Sequence, residues 1–187
     1  MKISILSLSL VSILFVACND NGSTKKVSDS TTTLEKNQET SDNKFPASKV
    51  LSDYLKLKNA LTKDNDKDAA AAASELIKAL KNMDKTSLNV EQAKVYNDIK
   101  DDAVEHAEHI ASNGENIEHQ REHFDTLSQE VYELLKAIGA GQKLYYANCP
   151  MYNGNKGANW ISETQDIQNP YLGQAMLTCG SVIEELN

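Results

Sequence analysis

The sequence has few basic residues, with 19 lysines and arginines against 27 acidic residues and a net charge of −8. It contains no basic patch, and nucleic-acid binding requires cationic side chains that neutralise phosphates. It also lacks a phosphate-cradling glycine-rich loop and a nucleophile elbow, which mark many nucleotide-binding enzymes and hydrolases. We therefore expect no nucleic-acid partner, and we expect a binding protein rather than an enzyme.

Long hydrophobic runs are missing except at the N-terminus, where residues 3–16 are apolar apart from small serines and follow Lys2. This run is shorter than the roughly 20 residues needed to span a bilayer and fits a signal peptide. It ends in Ala17-Cys18, and a small residue before a cysteine is typical of a bacterial lipobox. We predict a lipoprotein signal peptide at residues 1–17 and a lipid anchor on Cys18. The mature chain then carries 18 basic and 27 acidic residues, a net charge of −9.

The segment after the predicted anchor, residues 18–44, is almost entirely polar, with Val27 and Leu34 as its only sizeable apolar residues. Such a composition buries too little apolar surface to offset the entropy of an ordered chain. We therefore predict a lipidated, disordered tether followed by one folded domain at residues 45–187. The predicted location is the cell envelope, with the domain on the periplasmic side or at the cell surface and the membrane as a partner through Cys18.

Four segments of the predicted domain carry apolar residues at helical spacing. The first begins near Ser48 and ends near residue 64; the others cover about residues 69–80, 90–111 and 117–138. Four amphipathic helices with short connections predict an all-α fold, an up-down four-helix bundle.

The character of the sequence changes at residues 144–180, which contain the only tryptophan and four of the seven tyrosines. This stretch is rich in Asn, Gly and Pro and has no helical periodicity. A structureless stretch of this length is uncommon unless other parts of the protein hold it in place. We predict an irregular, loop-rich C-terminal cap on the bundle, with short strands near residues 144–147 and 160–162.

Cysteine is scarce as well, and only Cys149 and Cys179 follow Cys18. Two cysteines in an oxidising compartment usually form a disulfide, which here would contribute roughly 3 kcal/mol. Soft thiolate and thioether ligands alternatively select Cu(I), and a methionine lies close to each cysteine. Neither cysteine belongs to a CxxC motif, and spacing alone favours the disulfide. The first candidate metal ligands are Cys149, Met151, Met176 and Cys179.

All four histidines lie in the third and fourth predicted helices and form a second candidate metal set. His106 and His109 share one face of the third helix, and His119 and His123 share one face of the fourth. In an antiparallel helix pair, the two faces either meet or both turn away, and the sequence leaves both arrangements open. Neutral imidazole is a common transition-metal ligand, and nearby carboxylates can orient it. Four glutamates are placed to do so: Glu105, Glu108, Glu118 and Glu122.

Several short motifs resemble a bacterial domain of unknown function. That domain occurs in stand-alone lipoproteins and fused to periplasmic adaptor subunits of copper/silver-type efflux systems. The motifs are Gln-Arg-x-x-Phe-x-x-Leu-Ser, Cys-Pro-Met, Gly-Ala-x-Trp, Asn-Pro-Tyr-x-Gly and Met-x-x-Cys-Gly. In this chain they correspond to Gln120, Arg121, Phe124, Leu127 and Ser128; Cys149, Pro150 and Met151; Gly157, Ala158 and Trp160; Asn169, Pro170, Tyr171 and Gly173; and Met176, Cys179 and Gly180.

The resemblance implies a metal-related role, because the fused relatives are adaptors of heavy-metal efflux systems. It favours a copper site over a disulfide at Cys149 and Cys179, and Cys-Pro-Met is similar to short motifs of other heavy-metal-binding modules. It implies a metal-efflux adaptor or another envelope protein as partner, and it assigns no role to the histidines. We thus predict binding of a soft or borderline transition metal, with copper as the first candidate, for buffering or transfer to an efflux system. The alternative is a non-metal interaction or structural lipoprotein of the envelope, stapled by a Cys149–Cys179 disulfide.

Overall fold

The computed structural model describes residues 45–187. The predicted signal peptide, the lipidation site Cys18 and the predicted tether lie outside the described residues. Four long helices are followed by a small sheet. The elements are α1 (Ser48–Thr62), α2 (Asp66–Lys81), α3 (Val90–Ser112), α4 (Ile117–Ile138), β1 (Leu144–Cys149), β2 (Ala158–Ser162) and β3 (Ser181–Leu186).

The four helices begin and end close to the predicted positions, because local signals mark their ends. Asparagine side chains accept a backbone N–H bond at the start of three helices, which satisfies one of the free donors there. Gly139 ends α4 with a φ of +88°. The capping residues are Asn65 of α2, Asn89 of α3 and Asn116 of α4.

The helices pack as a bundle in which each helix contacts the next one along the chain. The apolar stripe of α4 lies at the centre of the core, with Phe124, Leu127, Val131 and Leu134 fully buried. This confirms the predicted helical bundle. Among the helices of residues 45–187, none is both long and apolar enough to cross a membrane.

The C-terminal cap, here residues 144–187, contains a three-stranded antiparallel sheet in the order β2-β1-β3. The fold is therefore mostly helical rather than all-α, and the cap is more regular than predicted. β1 and β2 include the two predicted strands, whereas β3 was not predicted. The adjacent acidic residues Glu184 and Glu185 lie on this strand. Val182-Ile183 and Glu184-Glu185 break the two-residue alternation that identifies a half-buried strand.

The cap is attached to the bundle through buried polar contacts and aromatic rings. The Tyr54 hydroxyl of α1 lies 2.8 Å from the Ser128 hydroxyl of α4 and accepts a bond from the Ile161 N–H of β2 at 3.0 Å. Trp160 and Tyr171 of the cap are almost fully buried. The sheet therefore has a defined position on α4, which also fixes the positions of the cap cysteines.

Candidate metal centres

The structure brings Cys149 and Cys179 together as a pair of free thiols. Cys149 is the last residue of β1 and is fully buried, whereas Cys179 lies just before β3 and is partly exposed. Their Sγ atoms are 3.3 Å apart, and the thiol of Cys149 raises the pKa of Cys179. We call these two residues the thiol pair.

The two candidate methionines are on the surface rather than in the core. Met151 follows Cys149 by two residues and has an exposed fraction of 50%, and Met176 precedes Cys179 by three residues and has an exposed fraction of 41%. Neither side chain fills a gap in the core, which is the usual role of methionine in proteins. Two flexible thioethers thus lie at the surface on the two segments that carry the thiols.

Asn169 holds the segment that carries Cys179 in place, a role that sequence reasoning missed. Its side-chain oxygen accepts bonds from the backbone N–H groups of Tyr171 and Leu172, and its amide donates to the Cys179 carbonyl at 2.7 Å. Its backbone N–H donates to the Leu177 carbonyl at 2.8 Å. Asn169 is fully buried. The Asn-Pro-Tyr motif pointed to this residue, but its contacts with Leu177 and Cys179, which hold the cysteine segment, come from outside the motif.

Two glycines allow the backbone to pass close to the thiol pair. A Cβ atom on Gly180 would lie 2.6 Å from the Asn148 carbonyl oxygen and 2.9 Å from the Trp160 ring, and its φ is +134°. A Cβ atom on Gly157 would lie 3.3 Å from the Cys149 carbonyl oxygen. The glycines of the Cys-Gly and Gly-Ala-x-Trp motifs therefore fit positions where a side chain would crowd the backbone beside each cysteine.

Arg121 joins α4 to both α1 and the cap. Its Nε donates to the Pro170 carbonyl at 2.8 Å, and its Nη2 donates to the Leu61 carbonyl at 3.0 Å and to the Asp64 carboxylate at 2.5 Å. A Cβ atom on Gly173 would collide with this Asp64–Arg121 ion pair. The acidic partner of Arg121 is thus at the end of α1 rather than on its own helix.

The histidines of α3 and α4 face each other, which resolves the choice that the sequence left open. His123 is at the centre, with its ring centroid 4.2 Å from that of His109, 4.6 Å from that of His119 and 5.2 Å from that of His106. The ligand atoms of His109, His119 and His123 all lie within 4.8 Å of one another. We call the four residues the histidine cluster.

Hydrogen bonding distinguishes the four rings. The Nδ1 atoms of His106 and His123 are 2.9 Å apart, so one donates and the other accepts. His119 Nδ1 lies 3.3 Å from the Glu122 carboxylate, which leaves Nε2 of that ring for a ligand. His109 lies at the surface with 46% of its side chain exposed, and His119 is 35% exposed. The cluster is thus closed on the side of His106 and open to solvent on the side of His109 and His119.

The environment of the cluster favours neutral imidazoles at its inner end. Burial lowers the pKa of both His106 and His123. Neighbouring histidines lower the pKa of His123 further, whereas the Glu105 carboxylate partly offsets the effect of burial on the pKa of His106. Only the neutral form of imidazole has a lone pair for a metal. The inner rings are therefore in the binding form at neutral pH.

The backbone that carries the cluster is held rigidly at the end of the helix pair. The Asn116 side chain accepts a bond from the His119 N–H at 3.1 Å. The buried amide of Gln120 donates to the carbonyl of Ile110 on α3 at 3.2 Å and to the carbonyl of Asp66 on α2 at 2.9 Å. Gln120 thus fixes the relative positions of α3 and α4 immediately beside the imidazoles.

Comparison with known proteins gives one family match. The model of a family described as protein of unknown function (DUF3347) matches residues 50–143, which include nearly all of the four helices and end just before β1. The histidine cluster lies inside this range, and the thiol pair lies outside it. No curated protein and no solved structure matches the chain. Because the matched range is half of the 187 residues, the chain belongs to the DUF3347 family of proteins of unknown function.

Proposed function

We propose that this protein is a membrane-anchored lipoprotein of the cell envelope that binds a copper-like soft metal, for buffering or for transfer to an efflux system. The proposed ligands are Cys149, Met151, Met176 and Cys179. The observation that carries the proposal is the meeting of two free thiols, from segments 30 residues apart, at a distance of 3.3 Å.

The distance between the thiols supports metal binding. For metal–sulfur bonds of about 2.3 Å in a tetrahedral site, the two sulfurs lie roughly 3.8 Å apart. A separation of 3.3 Å needs an opening of only a few tenths of an ångström to reach that value, whereas a disulfide requires a closure of more than about 1 Å.

The methionines support a soft metal in particular. Thioether sulfur is a ligand for Cu(I) and a poor ligand for hard cations. Met151 and Met176 are free of the core, and their three side-chain torsions let them turn toward an ion held by the thiols. Their exposure also gives a partner protein access to the ion, as transfer to an efflux adaptor requires.

The resemblance of the cap motifs to domains fused with heavy-metal efflux adaptors supports the same function. Much of what these motifs contribute is structural support for the cysteines, since Asn169, Gly157 and Gly180 hold or accommodate the backbone beside them. A predicted lipid anchor on Cys18 would keep the domain at the membrane, where an efflux system also lies.

The alternative function is a structural or interaction lipoprotein in which Cys149 and Cys179 form a disulfide. The predicted compartment favours it, because an oxidising environment promotes disulfide formation between neighbouring thiols. The disulfide would then hold the aromatic cap in shape, and the cap would serve as a binding surface for another envelope protein.

The test is a titration of the full chain, purified in detergent, with Cu(I) under reducing conditions. We expect one equivalent to bind tightly, with a large loss of affinity in Cys149→Ser and a smaller loss in Met176→Leu. The matched control is Met83→Leu, which changes a buried methionine of the bundle and should leave the affinity unchanged. A chain isolated without free thiols at Cys149 and Cys179, and without Cu(I) binding after reduction, would favour the disulfide alternative.

A further inference from the structure

The histidine cluster is a second donor set, and the function proposed above does not use it. We propose that His109, His119 and His123 form a separate binding site for a borderline divalent transition metal, Zn(II) or Cu(II), with His106 as the residue that orients His123. This site does not depend on the thiol pair, so either proposal can fail while the other stands.

The donor chemistry selects this class of metal. Imidazole nitrogen suits Zn(II) and Cu(II), whereas Mg(II) and Ca(II) require oxygen ligands. The three rings come from two helices and provide nitrogen without thiolate, so the soft-metal preference of the thiol pair does not apply. Three histidines leave the fourth position of a tetrahedral zinc ion open for water, as in zinc sites that are not fully closed by protein ligands.

The geometry requires the donor atoms to move closer together and the ring of His109 to turn out of its parallel stacking on His123, because a metal lies in the plane of each ligating ring. Metal–nitrogen bonds of about 2.0–2.1 Å place tetrahedral ligand atoms roughly 3.4 Å apart. The three ligand atoms now lie within 4.8 Å of one another. The largest gap thus closes by about 1.4 Å, and the exposed rings of His109 and His119 have room to rotate.

The surroundings of each ring resemble those of metal-bound histidines. A ligating imidazole commonly donates its second N–H to a carboxylate or another acceptor, which fixes its orientation. Glu122 is positioned to accept from His119 Nδ1, and the Glu105 carboxylate lies 4.0 Å from His109 Nε2. His123 has His106 in this role, with the two Nδ1 atoms 2.9 Å apart. His119 and His123 therefore each have a hydrogen-bonded neighbour that leaves one nitrogen for the metal, and Glu105 is the nearest carboxylate for His109.

The helix pair keeps the site assembled before a metal arrives. Gln120 ties α4 to α3 beside the cluster through its bond to the Ile110 carbonyl. Sites held on rigid helices lose little entropy through ordering on binding. The acidic residues around the cluster add an attractive field for a cation.

The experiment uses the full chain in detergent, with Cys149→Ser and Cys179→Ser so that the cap thiols are removed. Zn(II) or Cu(II) is titrated at about pH 7.5 by calorimetry, where imidazole is mostly neutral, and Mg(II) serves as a hard-metal control. We expect one equivalent of Zn(II) or Cu(II) to bind and Mg(II) not to bind. Cu(II) paramagnetic resonance should show nitrogen hyperfine coupling from imidazoles.

Variants then test the roles of individual residues. His109→Ala, His119→Ala and His123→Ala should each lower the affinity by more than about 100-fold, beyond the effect expected for a residue that only orients a ligand. His106→Ala should lower it by about 10-fold and leave the nitrogen coupling in place. Glu108→Gln is the matched control, because Glu108 lies between the histidines of α3 but bonds to Lys81.

Circular dichroism of each variant checks that the helices are intact. Absence of binding in the folded thiol-free chain would overturn the proposal, as would an affinity unchanged by His109→Ala and His119→Ala. Loss of binding in the thiol-free chain, with strong Zn(II) binding in the reduced wild type, would assign the metal to the cap instead.

Discussion

The thiols of the cap are 30 residues apart in the sequence, whereas the histidines occupy successive turns of two neighbouring helices. The cap brings its donors together through a buried asparagine, glycines at crowded positions and an arginine anchored to α1. The histidine donors are brought together by helical periodicity, a short turn between α3 and α4, and one glutamine that bridges these helices. A single change should therefore disrupt the cap site more easily than the scaffold of the helical site.

The largest expected effect comes from Asn169→Ala in the cap. The change leaves the buried N–H groups of Tyr171 and Leu172 and the carbonyl of Cys179 without their partner. We expect the free energy of unfolding to fall by about 3–5 kcal/mol, since each such group costs about 1–3 kcal/mol. Denaturant unfolding measures this loss.

The same variant sharpens the comparison between the two regions. In native conditions Asn169→Ala should weaken Cu(I) binding and leave Zn(II) binding at the histidine cluster unchanged. An equal loss of Cu(I) and Zn(II) affinity would mean that the cap and the helix pair do not bind metal independently.

Gly180→Ala should have the next largest effect. Its methyl group would lie 2.6 Å from the Asn148 carbonyl oxygen, at a φ of +134° that L side chains rarely adopt. We expect a loss of about 2–3 kcal/mol in the free energy of unfolding and weaker Cu(I) binding.

The control for Gly180 is Gly139→Ala at the end of α4. Gly139 also has a positive φ, of +88°, but within residues 45–187 no atom beyond its own chain neighbours and helix backbone lies within 4 Å of the point that the new methyl carbon would occupy. With a ψ of 156° its backbone lies in a region that is essentially restricted to glycine, so only backbone strain, of about 1–2 kcal/mol, is expected. If both variants showed the same decrease in the free energy of unfolding, crowding beside Cys179 would not be the reason for glycine at position 180.

On the helical side, Glu130 of α4 gives a smaller, pH-dependent effect. One of its carboxylate oxygens is buried without a hydrogen-bond partner among residues 45–187. Burial, with the negative charges of Asp102 and Glu133, raises its pKa from 4.5 to about 7. Between these values the folded protein keeps a proton that the unfolded chain loses, so this contribution to stability falls as pH rises through that window.

We expect Glu130→Gln to stabilise the protein at about pH 8 by about 1 kcal/mol, a value reduced because solvent partly reaches the carboxylate. The difference from wild type should vanish below about pH 4.5, where the glutamate is protonated in both states. Thermal unfolding of both proteins across this pH range is the measurement, and a difference that does not depend on pH would contradict it.

The smallest effect is expected for Lys94→Ala on the exposed face of α3. Lys94 pairs with Asp98 one turn later at 2.5 Å, and such solvent-exposed pairs contribute about 0.3–0.5 kcal/mol. Denaturant unfolding should show a loss of this size, and Zn(II) affinity should not change. A marked loss of Zn(II) affinity would mean that surface charges on α3, rather than the imidazoles, dominate binding.

The helical part of the fold was predictable because its signals are local. The spacing of Phe124, Leu127, Val131 and Leu134 indicates one buried face, and glycine marks the end of α4. Asparagine caps lie where three helices begin. The predicted limits of the fourth helix agree with those of α4, Ile117–Ile138.

The cap was predictable only in part because its order depends on distant partners. β1 and β2 are consecutive strands rich in aromatic and β-branched residues, and the sequence indicated both. β3 has no clear alternation, and it pairs with β1 from a distant part of the sequence, with a bulge between Tyr146 and Ala147. Packing and pairing, rather than intrinsic preference, decide such a strand.

The sequence by itself determined the helices, the family and the candidate ligands, since each depends on residue type and spacing along a short stretch. It also placed one pair of histidines on one face of each of two adjacent helices. Only the tertiary structure decided that those helix faces meet and that the cysteines approach to 3.3 Å. The physical reason is that both depend on how elements rotate and pack against one another, which is decided by the whole core rather than by any one segment.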